Sequence, residues 1–309
     1  MYKLTPEQIN RVIENASDRY YWYCRDHGIH TGVVGSSGGL DSCVTLALME
    51  RGNVKARNDG YKLHSVGLIL PCHSDPNAER LGRLAIHRFD AEEVMIDLTD
   101  EFDFIANRWD KTNRQVRAIL ERTGGKEALA GWEKNLRVGR GNLKARLRMM
   151  LGTYHVARMT NGMVLSTDNL SEYWMGFWTL HGDVGDYNMI QFLLKGLELY
   201  DIAAVLDIPE EILNSIPDDG LGVATGGDAA QIGAEYRDWE PLFVRLVKGG
   251  FDPDGAKEQL ANLPKVEGAT ATVPRDQAAR AVGNSFKRKG TVMLTRADLG
   301  LIEIKDIEL

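Results

Sequence analysis

Eight consecutive residues, Gly35-Ser36-Ser37-Gly38-Gly39-Leu40-Asp41-Ser42, place three glycines, three serines and one carboxylate between two apolar runs. Glycines let the backbone take positive φ and approach a ligand closely. Their N–H groups, with the N-terminus of a following helix, form a nest for an anion. Phosphate is the natural guest. The stretch is neither GxGxxG nor GxxxxGK[ST], because no lysine follows the second glycine; it carries an acid instead. Asp41 beside bound phosphates repels them unless a divalent cation lies between, and Mg²⁺ suits that place, since it binds through one or two carboxylates plus phosphate oxygens.

A second acid stands in Ser166-Thr167-Asp168-Asn169-Leu170-Ser171-Glu172, a few residues after an apolar run. If both apolar runs are strands of one parallel sheet, Glu172 and Asp41 share a sheet edge and can share one Mg²⁺ on bound phosphates. Taken alone, Glu172 reads more readily as a solvated loop acid. Trp174, Trp178 and His181 could stack on a planar ring or belong to the core.

The elements around these residues alternate. Thr5-Pro6-Glu7-Gln8 is a helix start with a capping box, and the helix runs to about residue 25. Strands are expected at 31–34, 65–70, 93–98 and 163–167. Helices are expected at 41–51, ended by Gly52, and at 78–89. Residues 100–140 look helical, with a break at Gly124-Gly125. Leu143, Leu147, Met150, Leu151 and Tyr154 fall on one helical face, with Asn142 as N-cap. A helix at 197–206 ends before Pro209, which opens a shorter one. Residues 218–235 are glycine-rich and read as a mobile loop; the last 60 residues are weakly patterned.

Strands alternating with helices predict an α/β fold: a doubly wound, mainly parallel sheet with helices on both faces, Rossmann-like. Ligands bind such sheets at the carboxyl ends of the strands, where the glycine turn falls. The expected organisation is a catalytic unit over 1–249 with a helical extension and tail over 250–309.

Bulk properties narrow the class. The 309 residues are 43% hydrophobic and 26% charged, with net charge −7. The acidic balance argues against a nucleic-acid partner. No apolar run approaches a membrane span, and the N-terminus is no signal peptide. Cys24, Cys43 and Cys72 are scattered without a CxxC, so neither a disulfide framework nor a cysteine zinc site is expected. A reducing cytoplasm fits.

Ser37-Gly38-Gly39-Leu40-Asp41-Ser42 resembles the pyrophosphate loop of the ATP-pyrophosphatase superfamily, whose members cleave ATP between the α and β phosphates. Two further stretches, Gly141 to Met149 (GNLKARLRM) and Ser166 to Glu172 followed by Gly176 to Asp186 (GFWTLHGDVGD), resemble the NAD⁺ synthetase family in order and spacing, over roughly residues 5–240. The resemblance implies an ATP-dependent carbon–nitrogen ligase that amidates deamido-NAD⁺ with ammonia, releasing AMP and pyrophosphate. It implies ATP contacts from Gly35, Ser36, Ser37, Gly38, Gly39, Leu40, Asp41, Ser42, Thr167 and Lys195. It also implies that Asp41 and Lys195 act in the chemistry and that Asp41 and Glu172 hold Mg²⁺. Arg146, Asp186 and Lys287 are implied on the acceptor. A homodimer is also implied, with the acceptor site at its interface. Glutamine-using members carry a large added amidase domain; about 30 residues precede the first strand here, so free ammonia is the expected donor, and nothing in the sequence indicates a separate glutaminase subunit.

The chain departs from the family pattern. Leu180, Asp218, Met189 and Phe286 stand where the family carries lysine, a hydroxyl residue, proline and histidine. The ATP half is kept and the acceptor half is altered. The rival readings are a related ligase acting on another carboxylate, and a nucleotide-binding protein without turnover; intact Asp41, Glu172 and Lys195 argue against the second. The tail TVMLTRADLGLIEIKDIEL extends past the family's usual end and alternates like an edge strand or a dimer contact.

Overall fold

The computed structural model describes residues 3–124, 129–218, 220–223 and 225–288. The tail expected as an edge strand or dimer contact lies outside them.

Five parallel strands form the sheet: β1 (Thr31–Gly35), β2 (His64–Ile69), β3 (Glu92–Met95), β4 (Gly162–Ser166) and β5 (Tyr187–Asn188), in the order β3-β2-β1-β4-β5. The order reverses between β1 and β4, so the crevice at the carboxyl ends of those two strands is the switch point of the sheet. The two-residue β5 is too short to leave a periodic signal.

Helix α1 (Pro6–Asp26) starts as the capping box requires, with Gln8 and Thr5 bonded reciprocally. Helix α2 (Leu40–Asn58) is buried on nearly every side, because it lies between the sheet and α1. It does not end at Gly52. That glycine sits inside the helix because Tyr20 of α1 crosses there: an added Cβ would lie 2.6 Å from the Tyr20 ring. On the strand-to-strand crossovers follow α3 (Pro76–Arg88) and α4 (Thr99–Gly124).

Helix α5 (Trp132–Leu147) runs through Asn142, so Asn142 is no N-cap; its side chain accepts from the Thr179 hydroxyl at 2.8 Å. A π-helical turn (Arg148–Thr153) joins α5 to α6 (Tyr154–Met159). Its wider turn rotates the apolar face. Leu143 and Leu147 are therefore buried while Met150 and Tyr154 are 61% and 56% exposed, against the single face expected.

Helix α7 (Leu170–Met175) follows β4. A second π-helical turn (Lys195–Leu199) leads into α8 (Tyr200–Val205), and α9 (Glu210–Leu213) follows Pro209. The segment expected to be a mobile loop contains α10 (Gly227–Ile232), with Asp228 buried. The weakly patterned C-terminal region forms α11 (Tyr236–Lys248), α12 (Arg275–Gly283) and α13 (Ser285–Arg288). Trp239 and Phe243 centre a core of their own there, into which Met175 of α7 inserts. Two further cores fill the faces of the sheet.

Candidate active site

The glycine turn is clamped from two sides. The Ser36 N–H donates to the Leu68 carbonyl of β2 and its hydroxyl to the Gly82 carbonyl of α3, both at 2.9 Å. Gly38 takes φ +83°, and a Cβ there would meet the Ala78 carbonyl oxygen at 2.4 Å, so α3 admits only glycine. Gly39 is the N-cap of α2, and no side chain caps that helix. Its first-turn amides are left for an anion. The Ser37 and Ser42 hydroxyls lie 3.3 Å apart across the loop, and Leu40 is buried beneath it.

The β4 side is built by a second capping box. Asn169 caps α7 by accepting from the Glu172 N–H at 3.0 Å, while Glu172 accepts from the Asn169 N–H at 3.3 Å. The remaining Asn169 amide donates to Asp41 Oδ1 at 2.9 Å. One asparagine thus ties the loop after β1 to the loop after β4, and with it the two acids.

Lys195 enters from the turn after β5. Only 4% exposed, its ammonium lies 2.8 Å from Asp41 Oδ2, 3.4 Å from Glu172 Oε1 and 3.6 Å from Asp228 Oδ2, with the Tyr236 ring 4.8 Å away. The Tyr236 hydroxyl donates to Asp228 at 2.9 Å. Burial lowers the Lys195 pKa, but Asp41, Tyr236, Glu172 and Asp228 outweigh it and raise it well above the usual lysine value. Burial pushes Glu172 well above the usual carboxylate range, with Lys195 opposing. Burial also pushes Asp168 up to about 8, helped by Asp183 and Asp41, and its Oδ2 has no partner among the described residues.

Beneath Lys195 lies Glu240 of α11. Its carboxylate accepts from the Ser171 hydroxyl and from the N–H groups of Gly196 and Leu197 at 2.9 and 3.0 Å. Burial pushes it up to about 7 despite those bonds. The sequence pattern alone does not mark Asn169, Asp228, Tyr236 and Glu240 as site residues. Only the Asn169-to-Glu172 spacing carried a signal, that of a capping box.

The structure gathers Gly35, Ser36, Ser37, Gly38, Gly39, Leu40, Asp41, Ser42, Thr167, Glu172 and Lys195 around the switch point, with Thr167 one residue past the end of β4. Each residue expected on the acceptor makes a hydrogen bond within the protein. Asp186, in the connection to β5, accepts from the Val164 N–H at 2.9 Å and so anchors that connection to β4. The Lys287 ammonium donates to the Gly176 and Trp178 carbonyls, fixing the loop after α7; burial lowers its pKa. Arg146 is exposed and spends its Nε on the Leu180 carbonyl at 3.3 Å. Trp178 stacks on Tyr173 with ring centroids 5.7 Å apart, and Trp174 packs against Phe243 of the core.

Asp41 and Glu172 touch the same ammonium, so both reach one cation position. Hard carboxylate oxygens on a phosphate-binding loop fit Mg²⁺. Among the described residues no group of three or more His, Cys, Asp or Glu forms a metal cage.

The sequence profile of the family described as NAD synthase matches residues 12–288. An NH(3)-dependent NAD(+) synthetase of Syntrophomonas wolfei is 31% identical over 240 residues, covering 77% of this chain and 82% of that protein. The solved NMN synthetase of Francisella tularensis superposes with TM-score 0.68 at 21% identity, over 93% of this chain and 98% of that one. The NH3-dependent NAD synthetase of Campylobacter jejuni does so with TM-score 0.62 at 20% identity, over 93% and 99%. A five-stranded parallel sheet with an acid-bearing glycine loop at its switch point, and a family profile that spans nearly the whole chain, lead to one conclusion: this chain belongs to the NAD synthase family.

Proposed function

We propose that the chain amidates the nicotinate carboxylate of deamido-NAD⁺ with ammonia, at the expense of ATP. The carboxylate oxygen attacks the α-phosphorus. The bond from that phosphorus to the bridging oxygen breaks, and pyrophosphate leaves. Ammonia then adds to the acyl carbon of the adenylate, its extra proton is lost, and AMP departs to leave NAD⁺. The observation that carries this reading is the meeting of Lys195, Asp41 and Glu172 at the mouth of the glycine loop.

In this reading the loop amides and Lys195 hold the β and γ phosphates, and Thr167 contacts the nucleotide. Asp41 and Glu172 hold Mg²⁺, which neutralises phosphate charge when bound. The protein's own share is positioning and preorganised charge. Closure of the chain around α10 (Gly227–Ile232) over the adenylate would keep water away. Arg146 offers the terminal nitrogens of its guanidinium to the acceptor; Asp186 and Lys287 shape its loops. The working unit is a homodimer, with residues 250–309 an extension of the catalytic unit over 1–249. The proposed setting is a reducing cytoplasm, in keeping with three cysteines scattered without a CxxC.

The test is a comparison of donors and acceptors. The rate with ammonium and deamido-NAD⁺ is to be measured beside the rates with glutamine and with nicotinate mononucleotide. Preference for ammonium and deamido-NAD⁺ supports the proposal; a preference for the mononucleotide moves the acceptor, and a preference for glutamine moves the donor.

A further inference from the structure

Lys195 and Glu172 come from different parts of the chain, and neither fixes the other: their contact is 3.4 Å long. What lies behind both is one acid. Glu240 is fully buried and belongs to neither the glycine loop nor the β4 loop. One of its oxygens accepts from the Ser171 hydroxyl, next to Glu172. The same carboxylate accepts from the Gly196 N–H at 2.9 and 3.0 Å and the Leu197 N–H at 3.0 Å, next to Lys195. The Lys195 N–H itself donates to the Ser171 hydroxyl at 3.2 Å. A closed ring of bonds therefore joins α7, the π-helical turn and α11.

The ring has a steric counterpart. A Cβ on Gly196 would lie 2.8 Å from the Arg237 backbone nitrogen and 3.0 Å from Glu240 Oε2. Glycine there lets α11 press directly onto the first turn of the Lys195 helix. The orphan amides of that turn need an acceptor, and a carboxylate supplies one for each.

We propose that Glu240 is a positioning residue that sets Lys195 and Glu172 relative to each other, so that bound ATP meets both at once. The inference rests on the assignment of Lys195 and Glu172 to ATP and its metal. A glutamine at 240 keeps the volume but turns one acceptor into a donor, which then faces the Ser171 hydroxyl or a backbone N–H. A purely architectural acid would affect stability only; a positioning acid affects nucleotide affinity and turnover of the folded protein.

The experiment uses the full chain. Kd for ATP with Mg²⁺ is measured by calorimetry, and kcat and KM per folded molecule, for wild type, Glu240→Gln, Glu240→Asp, Glu240→Ala, Ser171→Ala and Gly196→Ala. Glu240→Gln is expected to weaken ATP binding about tenfold and to lower kcat by a similar factor, and Ser171→Ala to show about threefold effects. Glu240→Asp is expected to recover part of what Glu240→Ala loses. Wild-type Kd, KM and kcat in Glu240→Gln and Ser171→Ala, whatever their melting temperatures, would overturn the proposal. If Glu240→Gln does not fold, Ser171→Ala and Gly196→Ala decide the matter in the same way. A wild type that binds ATP but forms no NAD⁺ would count against the reaction, while the Kd values would still judge Glu240.

Discussion

The ammonium of Lys195 lies 2.8 Å from Asp41 Oδ2, where an acid of the glycine loop and a cation from beyond β5 meet across the switch point of the sheet. Glu172 and Asp228 crowd the same ammonium, so a single lysine balances three carboxylates in a nearly water-free space. Its removal leaves them uncompensated. Lys195→Met is expected to lose about 3–5 kcal/mol of stability near neutral pH, since a buried charge group stripped of its partner is costly. Turnover should fall at least about a hundredfold, in line with loss of a preorganised electrostatic group. Mg²⁺ should raise the melting temperature of the variant more than that of wild type, because the carboxylates are freed for it. Differential scanning calorimetry with and without Mg²⁺ checks this; equal shifts would contradict it.

The buried acids make metal-free stability depend on pH. Asp168 sits near 8 in the folded protein against 3.8 ordinarily, and Glu240 near 7 against 4.5. The folded state therefore binds more protons than the unfolded state between those values. Stability is fully present at the acid end of that window and declines as pH rises from about 4 to 8. Asp168→Asn removes the share carried by Asp168, leaving those of Glu240 and Glu172. Relative to wild type, its melting temperature should rise by roughly 6–12 °C between pH 5 and pH 8.5 in chelator. A difference that stays constant across this range would refute the assignment.

Gly52 tests the packing of α1 on α2. Alanine in a helix interior normally gains about 1 kcal/mol over glycine. Here the Cβ would strike the Tyr20 ring at 2.6 Å and the Ser17 carbonyl oxygen at 3.1 Å. Gly52→Ala is expected to destabilise by about 1–3 kcal/mol, the usual cost of overpacking. Urea denaturation measures the sign, and a gain in stability would show that Gly52 is no close approach.

The thiols should be silent. Cys24, Cys43 and Cys72 are buried and unbridged, and burial pushes the Cys24 and Cys43 thiols up to about 12. Reaction needs the thiolate. A chromogenic disulfide reagent at pH 8 should titrate none in the native protein and three after unfolding. Rapid native labelling would show that these positions open.

Much of this was legible in the chain. The glycine turn, the capping boxed first helix and the strand–helix alternation predict a parallel sheet, because each rests on local chemistry: φ freedom at Gly38, the Thr5-to-Gln8 reciprocity, apolar runs such as Val33-Val34. The elements that were misread depend on contacts from afar. Gly52 looks like a helix end until Tyr20 is seen against it. Met150 and Tyr154 keep helical spacing, but the π-helical turn at Arg148–Thr153 rotates them outward. Glu240 and Asp228 carry no local mark of their place; only packing of α10 and α11 under Lys195 brings them there. On the acceptor side, spacing located Asp186 and Lys287 but could not show that both are bonded to backbone of neighbouring loops.

The most direct measurement is the product balance of the purified protein with ATP, Mg²⁺, ammonium and deamido-NAD⁺, beside Asp41→Ala. NAD⁺, AMP and pyrophosphate formed one to one to one, and lost in the variant, is the predicted result. ATP bound by folded protein with no NAD⁺ formed, or NAD⁺ formed with ADP and phosphate in place of AMP and pyrophosphate, would contradict the account.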